Sequence, residues 1–232
     1  MTHSASDDDQ QPYQLPEHLT EVVPLAEAVL DLSEQLDELY EQDDSNEGDD
    51  EEPSGPPKAI VSLLGDLAKV ALDLAANLED DEEALLELDE WSADRELLPR
   101  ILELPLGLAS VGELDSALAV ARAFAYASPE ECSGDIAIIL AEQGNRDEAI
   151  AQLESNREHF TESCLTAIKS GAAYEALGDA VAAEASYRKA LALSEDDSER
   201  EEAFNLLVGL LEDAGRFEEV EALMYPTAHN PP

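Results

Sequence analysis

Apolar residues in the first third of the chain recur at the spacing of an α-helix. From Glu17 to about Glu41 they stand four and three residues apart, at Leu25, Val29, Leu32, Leu36 and Leu39. From residue 58 the spacing returns, at Ile60, Leu63, Leu67, Val70, Leu74 and Leu78. Steps of three and four residues place side chains on one face of a helix. We therefore predict an N-terminal helical pair over 17–78, whose two helices run antiparallel.

Polar and acidic segments separate these helices from the rest of the chain. Residues 1–16 favour a disordered acidic arm, and residues 226–232 a flexible tail. Residues 43–57 are rich in Asp, Glu, Gly and Pro, which predicts an acidic linker within the helical pair. Residues 79–97 form an acidic connecting segment. There we expect a helix break near 79–82 and a further short helix after it.

A glycine-centred pattern recurs four times in the second half of the chain. The glycines are Gly112, Gly144, Gly178 and Gly215, spaced 32, 34 and 37 residues apart. Five residues after each glycine stands a small side chain: Ala117, Ala149, Ala183 or Val220. A glycine can end one helix in a tight turn, and a small side chain lets the next helix approach closely. The pattern predicts helical hairpins that stack on one another.

One of these segments carries a more specific signature, at residues 164–197. Its characteristic positions are Gly171, Tyr174, Gly178, Ala183, Tyr187 and Ala190. In these residues the chain resembles the tetratricopeptide repeat family. The segment before it keeps the glycine turn but has Ala137 and Asn156 where the pattern has small Gly and Ala, and Pro105 falls inside the first predicted repeat helix.

The resemblance implies an all-α fold, a solenoid of about four helical-hairpin repeats over 98–225 that follows the N-terminal pair. It assigns Tyr174, Tyr187 and Phe217 to packing between helices. It also implies that the first helix of each repeat lines a concave groove, which holds a peptide or a partner protein. The groove residues would be Asp135, Ile138, Glu142, Leu165, Ile168, Lys169, Glu175, Glu202, Asn205 and Glu212.

The charges of that groove favour a basic partner. Five of its ten positions are carboxylates and only Lys169 is a cation, and complementary charge gives an interface its specificity. An equally weighted interpretation is that these acids are part of a general surface excess. The chain as a whole has 56 acidic and 12 basic residues, a net charge of −44.

The acidic excess extends along the whole chain and limits its partners. It amounts to 18 acidic against no basic residues in 1–57, 15 against 5 in 58–129, and 23 against 7 in 130–232. Such a field repels phosphate, so direct binding to nucleic acid is disfavoured. The charge is also consistent with two alternative hypotheses. The chain could be a nucleic-acid mimic or chaperone for a basic DNA-binding protein, or it could be adapted to high internal salt.

Candidate chemistry is sparse. Cys132 and Cys164 are expected to be reduced packing residues, and no histidine has zinc-ligand spacing with a cysteine or carboxylate. A calcium loop starting at Asp43 has Gly48 in the sixth place but lacks glutamate in the twelfth. We predict no enzymatic activity, cofactor or metal. The acidic start and the lack of a long apolar run predict a soluble cytoplasmic chain that binds no membrane.

Overall fold

The computed structural model describes residues 15–44 and 56–224. The predicted tail, most of the acidic arm, and most of the acidic linker with its candidate calcium loop lie outside these residues. Within the described ranges every regular element is helical, which confirms the all-α class for this part of the chain. None of the described helices is long and apolar enough to cross a membrane.

The described residues contain eleven α-helices. They are α1 Val23–Asp44, α2 Lys58–Leu78, α3 Glu82–Ser92, α4 Leu97–Ser110, α5 Leu114–Ala123, α6 Pro129–Glu142, α7 Arg146–His159, α8 Cys164–Ala176, α9 Ala180–Leu193, α10 Asp197–Asp213 and α11 Phe217–Met224. Short 3-10 helices at Glu17–Leu19 and Ala93–Arg95 precede α1 and α4. Backbone contacts divide the chain into two compact units, Met1–Ile101 and Leu102–Pro232.

In the first unit α1 packs against α2. The last turns of α1 and the first turns of α2 line one cleft, so the two helices run antiparallel. The first helix begins later than the spacing predicted, at Val23 rather than Glu17. Pro24 explains the difference, because it has no N–H to donate to the carbonyl of Thr20 in a helix that continued from residue 17.

The acidic connecting segment contains the predicted break. Helix α2 ends at Leu78, and both Glu79 and Asp80 have positive φ, so the backbone leaves the helix there. The Asp81 carboxylate then accepts a hydrogen bond from the N–H of Ala84 and begins α3. The Asp89 carboxylate, from within α3, accepts a hydrogen bond from the N–H of Leu98 in the first turn of α4.

Two arginines of the 95–100 segment form ion pairs with acidic side chains of α1. Arg95 pairs with Asp31 and Glu34 at 2.6 and 2.7 Å, and Arg100 pairs with Asp37 at 2.8 Å. Both arginines therefore serve the internal structure of the first unit. Helix α4 itself continues through Pro105, so the proline does not shorten it.

The second unit repeats one helix-ending turn four times. In the turn after α6, the N–H of Gly144 donates to Ala141 and the N–H of Asn145 donates to Leu140. The same pair of bonds closes the turns at Gly112, Gly178 and Gly215, and all four glycines have positive φ. This is the Schellman arrangement, which satisfies the last carbonyls of a helix and needs a left-handed residue at its centre. The predicted glycine turns are confirmed.

The small residues after these glycines are buried, as the hairpin prediction requires. Ala117, Ala149 and Ala183 are fully buried, and Val220 nearly so. Helices on the two sides of a turn pack together in the pairs α6–α7, α8–α9 and α10–α11. Successive pairs join because α6 also packs against α8 and α9 against α10. One assignment is wrong: Phe217, the first residue of α11, is 65% exposed and does not fill the space between helices.

Candidate functional site

The ten predicted groove residues lie on three helices of the second unit. Helix α6 carries three of them, α8 four and α10 three, and α8 contacts both α6 and α10. Five side chains are exposed: Glu142, Glu175, Glu202, Asn205 and Glu212. Leu165 and Lys169 are partly exposed, and Asp135, Ile138 and Ile168 are buried. We use the name acidic face for the exposed five and Leu165, which lie on these three helices.

The two buried isoleucines stabilise the helix packing beneath the acidic face. Ile138 packs with Ala137, Leu153 and Ala173 in the core between α6, α7 and α8. Ile168 belongs to the next core, which joins α8 to α9 and α10. Since a partner cannot contact a fully buried side chain without opening these cores, the surface available for binding is smaller than the predicted groove.

Lys169 and Asp135 form an ion pair between α8 and α6. The ammonium lies 2.5 Å from Asp135 Oδ1, and the two side chains are only 13% and 1% exposed. The lysine stem crosses α6 over Gly134, where a Cβ atom would lie 2.8 Å from Lys169 Cβ. Burial raises the pKa of the Asp135 carboxyl, and the positive charge of Lys169 offsets part of that rise.

A second polar contact joins α8 to α9 below the acidic face. The Tyr187 hydroxyl donates a hydrogen bond to Glu175, and the Tyr187 ring is fully buried against Gly171. Burial, followed by the hydrogen bond to Glu175, raises the pKa of Tyr187 so that it stays neutral. Partial burial also raises the pKa of Glu142 above its usual range. Glu175 therefore has a structural contact, whereas Glu142 has an exposed side chain whose carboxyl is partly desolvated by its surroundings.

Neither cysteine is placed for nucleophilic chemistry. Both are unpaired and buried, and burial raises the pKa of Cys132 to about 12 and raises that of Cys164. Because the thiolate is the reactive form, these shifts oppose reactivity at neutral pH. Cys164 donates instead to the carbonyl of Ala190 at 3.4 Å. Within the described ranges, no three His, Cys, Asp or Glu side chains are grouped to hold a metal ion.

Sequence reasoning missed a cleft between α7, α8 and α9. It has a volume of about 330 Å³, and we call it the α7–α9 cleft. Arg157 and Lys189 line it, together with hydroxyl-bearing residues and alanines. No sequence signal predicted it, because helical periodicity alone does not reveal which side chains meet across three helices.

No protein-family model matches this chain, and no curated protein matches it.

Proposed function

We propose that this protein is a non-enzymatic interaction scaffold, a solenoid similar to tetratricopeptide repeat proteins. Its partner is a basic peptide or a basic segment of a protein, which binds the acidic face. The recurring glycine turns with small buried residues after them support the repeat interpretation. The turns and small residues thus support the repeat fold, and the charges separately support the choice of a basic partner.

The observation that carries the proposal is the position of Lys169. It is the only cation among the ten predicted groove residues, and it is bound to Asp135 and mostly buried. The exposed charges of the acidic face are therefore Glu142, Glu175, Glu202 and Glu212. A surface with charges of one sign attracts the opposite sign and rejects its own, which favours lysine-rich or arginine-rich ligands.

The test is fluorescence anisotropy with a labelled amphipathic peptide of lysine and leucine. We compare the wild type with the double variant Glu142→Lys and Glu202→Lys, which reverses two charges of the acidic face. A matched control, Glu148→Lys and Glu158→Lys, makes the same charge change at exposed positions of α7. We expect the face variant to bind about tenfold more weakly, a loss of about 1.4 kcal/mol, and the control to bind almost normally.

Added salt gives a second reading of the same experiment. Because charges are screened over about 8 Å at physiological ionic strength, the affinity for the basic peptide is expected to fall as salt is added. An acidic peptide of matched length should not bind. Equal weakening in the face and control variants would show that the peptide responds only to total charge, and the proposal would then fail.

A further inference from the structure

We infer that the α7–α9 cleft binds a small organic anion, a molecule that carries a carboxylate or phosphoryl group together with a hydroxyl or amino group. This site is separate from the acidic face, since it is formed by α7, α9 and residues of α8 that do not belong to that face. The inference therefore does not depend on the proposed function. It starts from the two cations of the cleft.

Arg157 and Lys189 bring positive charge without a matching acid. Among the described residues, no carboxylate oxygen lies within 4.0 Å of either side-chain charge. Lys189 donates only to the backbone carbonyl of Thr161, at 3.1 Å. Carboxylates engage four other cations of the second unit, Lys169, Arg188, Arg200 and Arg216. Arg122 and Arg146 also pair with no carboxylate among the described residues, but neither lines this cleft. In a chain with 56 acidic residues, two such unpaired cations on one cleft favour an anionic ligand.

Three other clefts of the described surface differ in charge from the α7–α9 cleft. One at the start of α3 is lined by Asp and Glu with a single leucine, one between α1 and α2 contains Glu38 and Asp66, and one at the Gly112 turn contains Glu113 and Asp115. None of these three contains Lys or Arg. The α7–α9 cleft contains one acid, Glu154, beside its two cations. The pair of cations therefore distinguishes the α7–α9 cleft from these three clefts.

The hydroxyl groups define what else the ligand must offer. Tyr174 lines the cleft, and its hydroxyl has no hydrogen-bond partner among the described residues, so it can donate to an anion. Ser170 and Ser186 donate to the backbone carbonyls of Thr166 and Ala182, at 2.6 and 2.9 Å. Their oxygens keep lone pairs that accept hydrogen bonds. The cleft therefore offers donors, from the two cations and Tyr174, and acceptors, from the two serine oxygens. A ligand with a hydrogen-bond donor near its anionic group would bind both.

The remaining lining is small and apolar, which makes room for the ligand's carbon skeleton. Ala167, Ala182 and Ala185 lie along the cleft with Leu153. The volume of about 330 Å³ falls at the lower end of the range of small-molecule sites, about 300–1,000 Å³. The net charge of the chain opposes binding at long range. Salt at physiological strength screens that repulsion beyond about 8 Å, whereas an anion bound in the cleft would lie much closer than that to its two cations.

The experiment is a titration of the full-length protein, followed by amide chemical shifts in NMR spectra. The probes are glycerol 3-phosphate, 3-hydroxybutyrate and uncharged glycerol. The double variant Arg157→Gln and Lys189→Gln removes the two cleft cations. A matched control, Arg122→Gln and Lys69→Gln, removes an exposed cation from α5 and another from α2, neither of which pairs with a carboxylate among the described residues.

We expect at least one anionic probe to give saturable shifts centred on residues 153–189, and glycerol to give none. The cleft variant should weaken that binding by about tenfold or more, while the control keeps it. Preference for one probe identifies the anionic group as phosphoryl or carboxylate. The inference is overturned if neither anion saturates, if glycerol binds equally well, or if the control variant weakens binding as much as the cleft variant.

Discussion

The hairpins α6–α7 and α8–α9 share one turn geometry but fill their interiors differently. Positions 34 residues apart correspond, because Gly144 and Gly178 occupy the same place in the two turns. In α8–α9 the large Tyr187 packs against Gly171. In α6–α7 the corresponding residues are Leu153 and Ala137, which lie in one buried cluster. A larger side chain on one helix is matched by a smaller one on the other, so the packed volume is conserved.

The polar contacts of the two hairpins differ along with the sizes of their packing side chains. Tyr187 needs a partner for its hydroxyl and finds it in Glu175, whereas Leu153 needs none and the position corresponding to Glu175 is Ala141. Asn156 corresponds to Ala190, and its amide donates to the carbonyl of Ser133 at 2.9 Å. Departures from the repeat pattern thus occur in compensated sets. The two hairpins therefore fill the same turn geometry with different sets of packing side chains.

The largest expected effect comes from breaking the match between Tyr187 and Gly171. A Cβ atom at residue 171 would overlap Cε1 of the Tyr187 ring, and the buried ring cannot move aside cheaply. Gly171→Ala should destabilise the protein by about 3 kcal/mol, measured by urea unfolding followed by circular dichroism. Adding Tyr187→Leu copies the pair found in α6–α7, and the double variant should recover much of the loss.

Gly209→Ala provides the matched control for that substitution. Residue 209 lies within α10, and a Cβ atom there would have no neighbour within 4 Å. Alanine should therefore stabilise the helix by about 0.5–1 kcal/mol. Strictly additive effects of Gly171→Ala and Tyr187→Leu in a double-mutant cycle would contradict the volume compensation.

A smaller loss is expected from Asn156→Ala, which gives α7 the residue that α9 has at this position. Asn156 is buried, and besides its bond to Ser133 it accepts a hydrogen bond from Gln152 at 2.8 Å. Removing the amide should cost about 1–2 kcal/mol in the free energy of unfolding. The reciprocal Ala190→Asn should also destabilise, since Ala190 is fully buried beside Cys164. A neutral Asn156→Ala variant would mean that the amide does not hold α7 to α6.

The smallest effect concerns an ion network that α9 has and α7 lacks. Hydrogen bonds from Arg216, then from Arg188, lower the pKa of Glu184. A carboxyl whose pKa is lower in the folded state stabilises the protein above its unfolded pKa, and that stability is lost as the pH falls through the folded pKa. Glu184→Gln should therefore be less stable than the wild type at pH 7, with the difference shrinking as the solution is acidified.

Unfolding measured from pH 7 downwards checks this dependence. Glu148→Gln serves as the control, because Glu148 is an exposed acid of α7 outside that network. We expect this control to stay close to the wild type over the same interval. A constant difference between Glu184→Gln and the wild type at every pH would show that the substitution acts through packing.

Periodicity and glycine positions predicted the fold class and the four turns, and the acidic stretch after Leu78 predicted the helix break there. These features depend on local backbone preferences and local charge. Burial at the acidic face was harder to predict. Asp135 and Lys169 are polar residues on helical faces, and only their meeting across two helices removes them from solvent. The α7–α9 cleft was missed for the same reason. Pro24 has no backbone N–H, and this property would have moved the predicted start of the first helix from Glu17 to Val23.

The four identical turns have a consequence for how the chain acquires its structure. Each turn closes through hydrogen bonds that span at most five residues, so its formation brings no distant part of the chain together. Short-range closure loses little entropy, and contacts of low sequence separation form quickly. A hairpin of the second unit can consequently begin to form while later residues are still being synthesised on the ribosome.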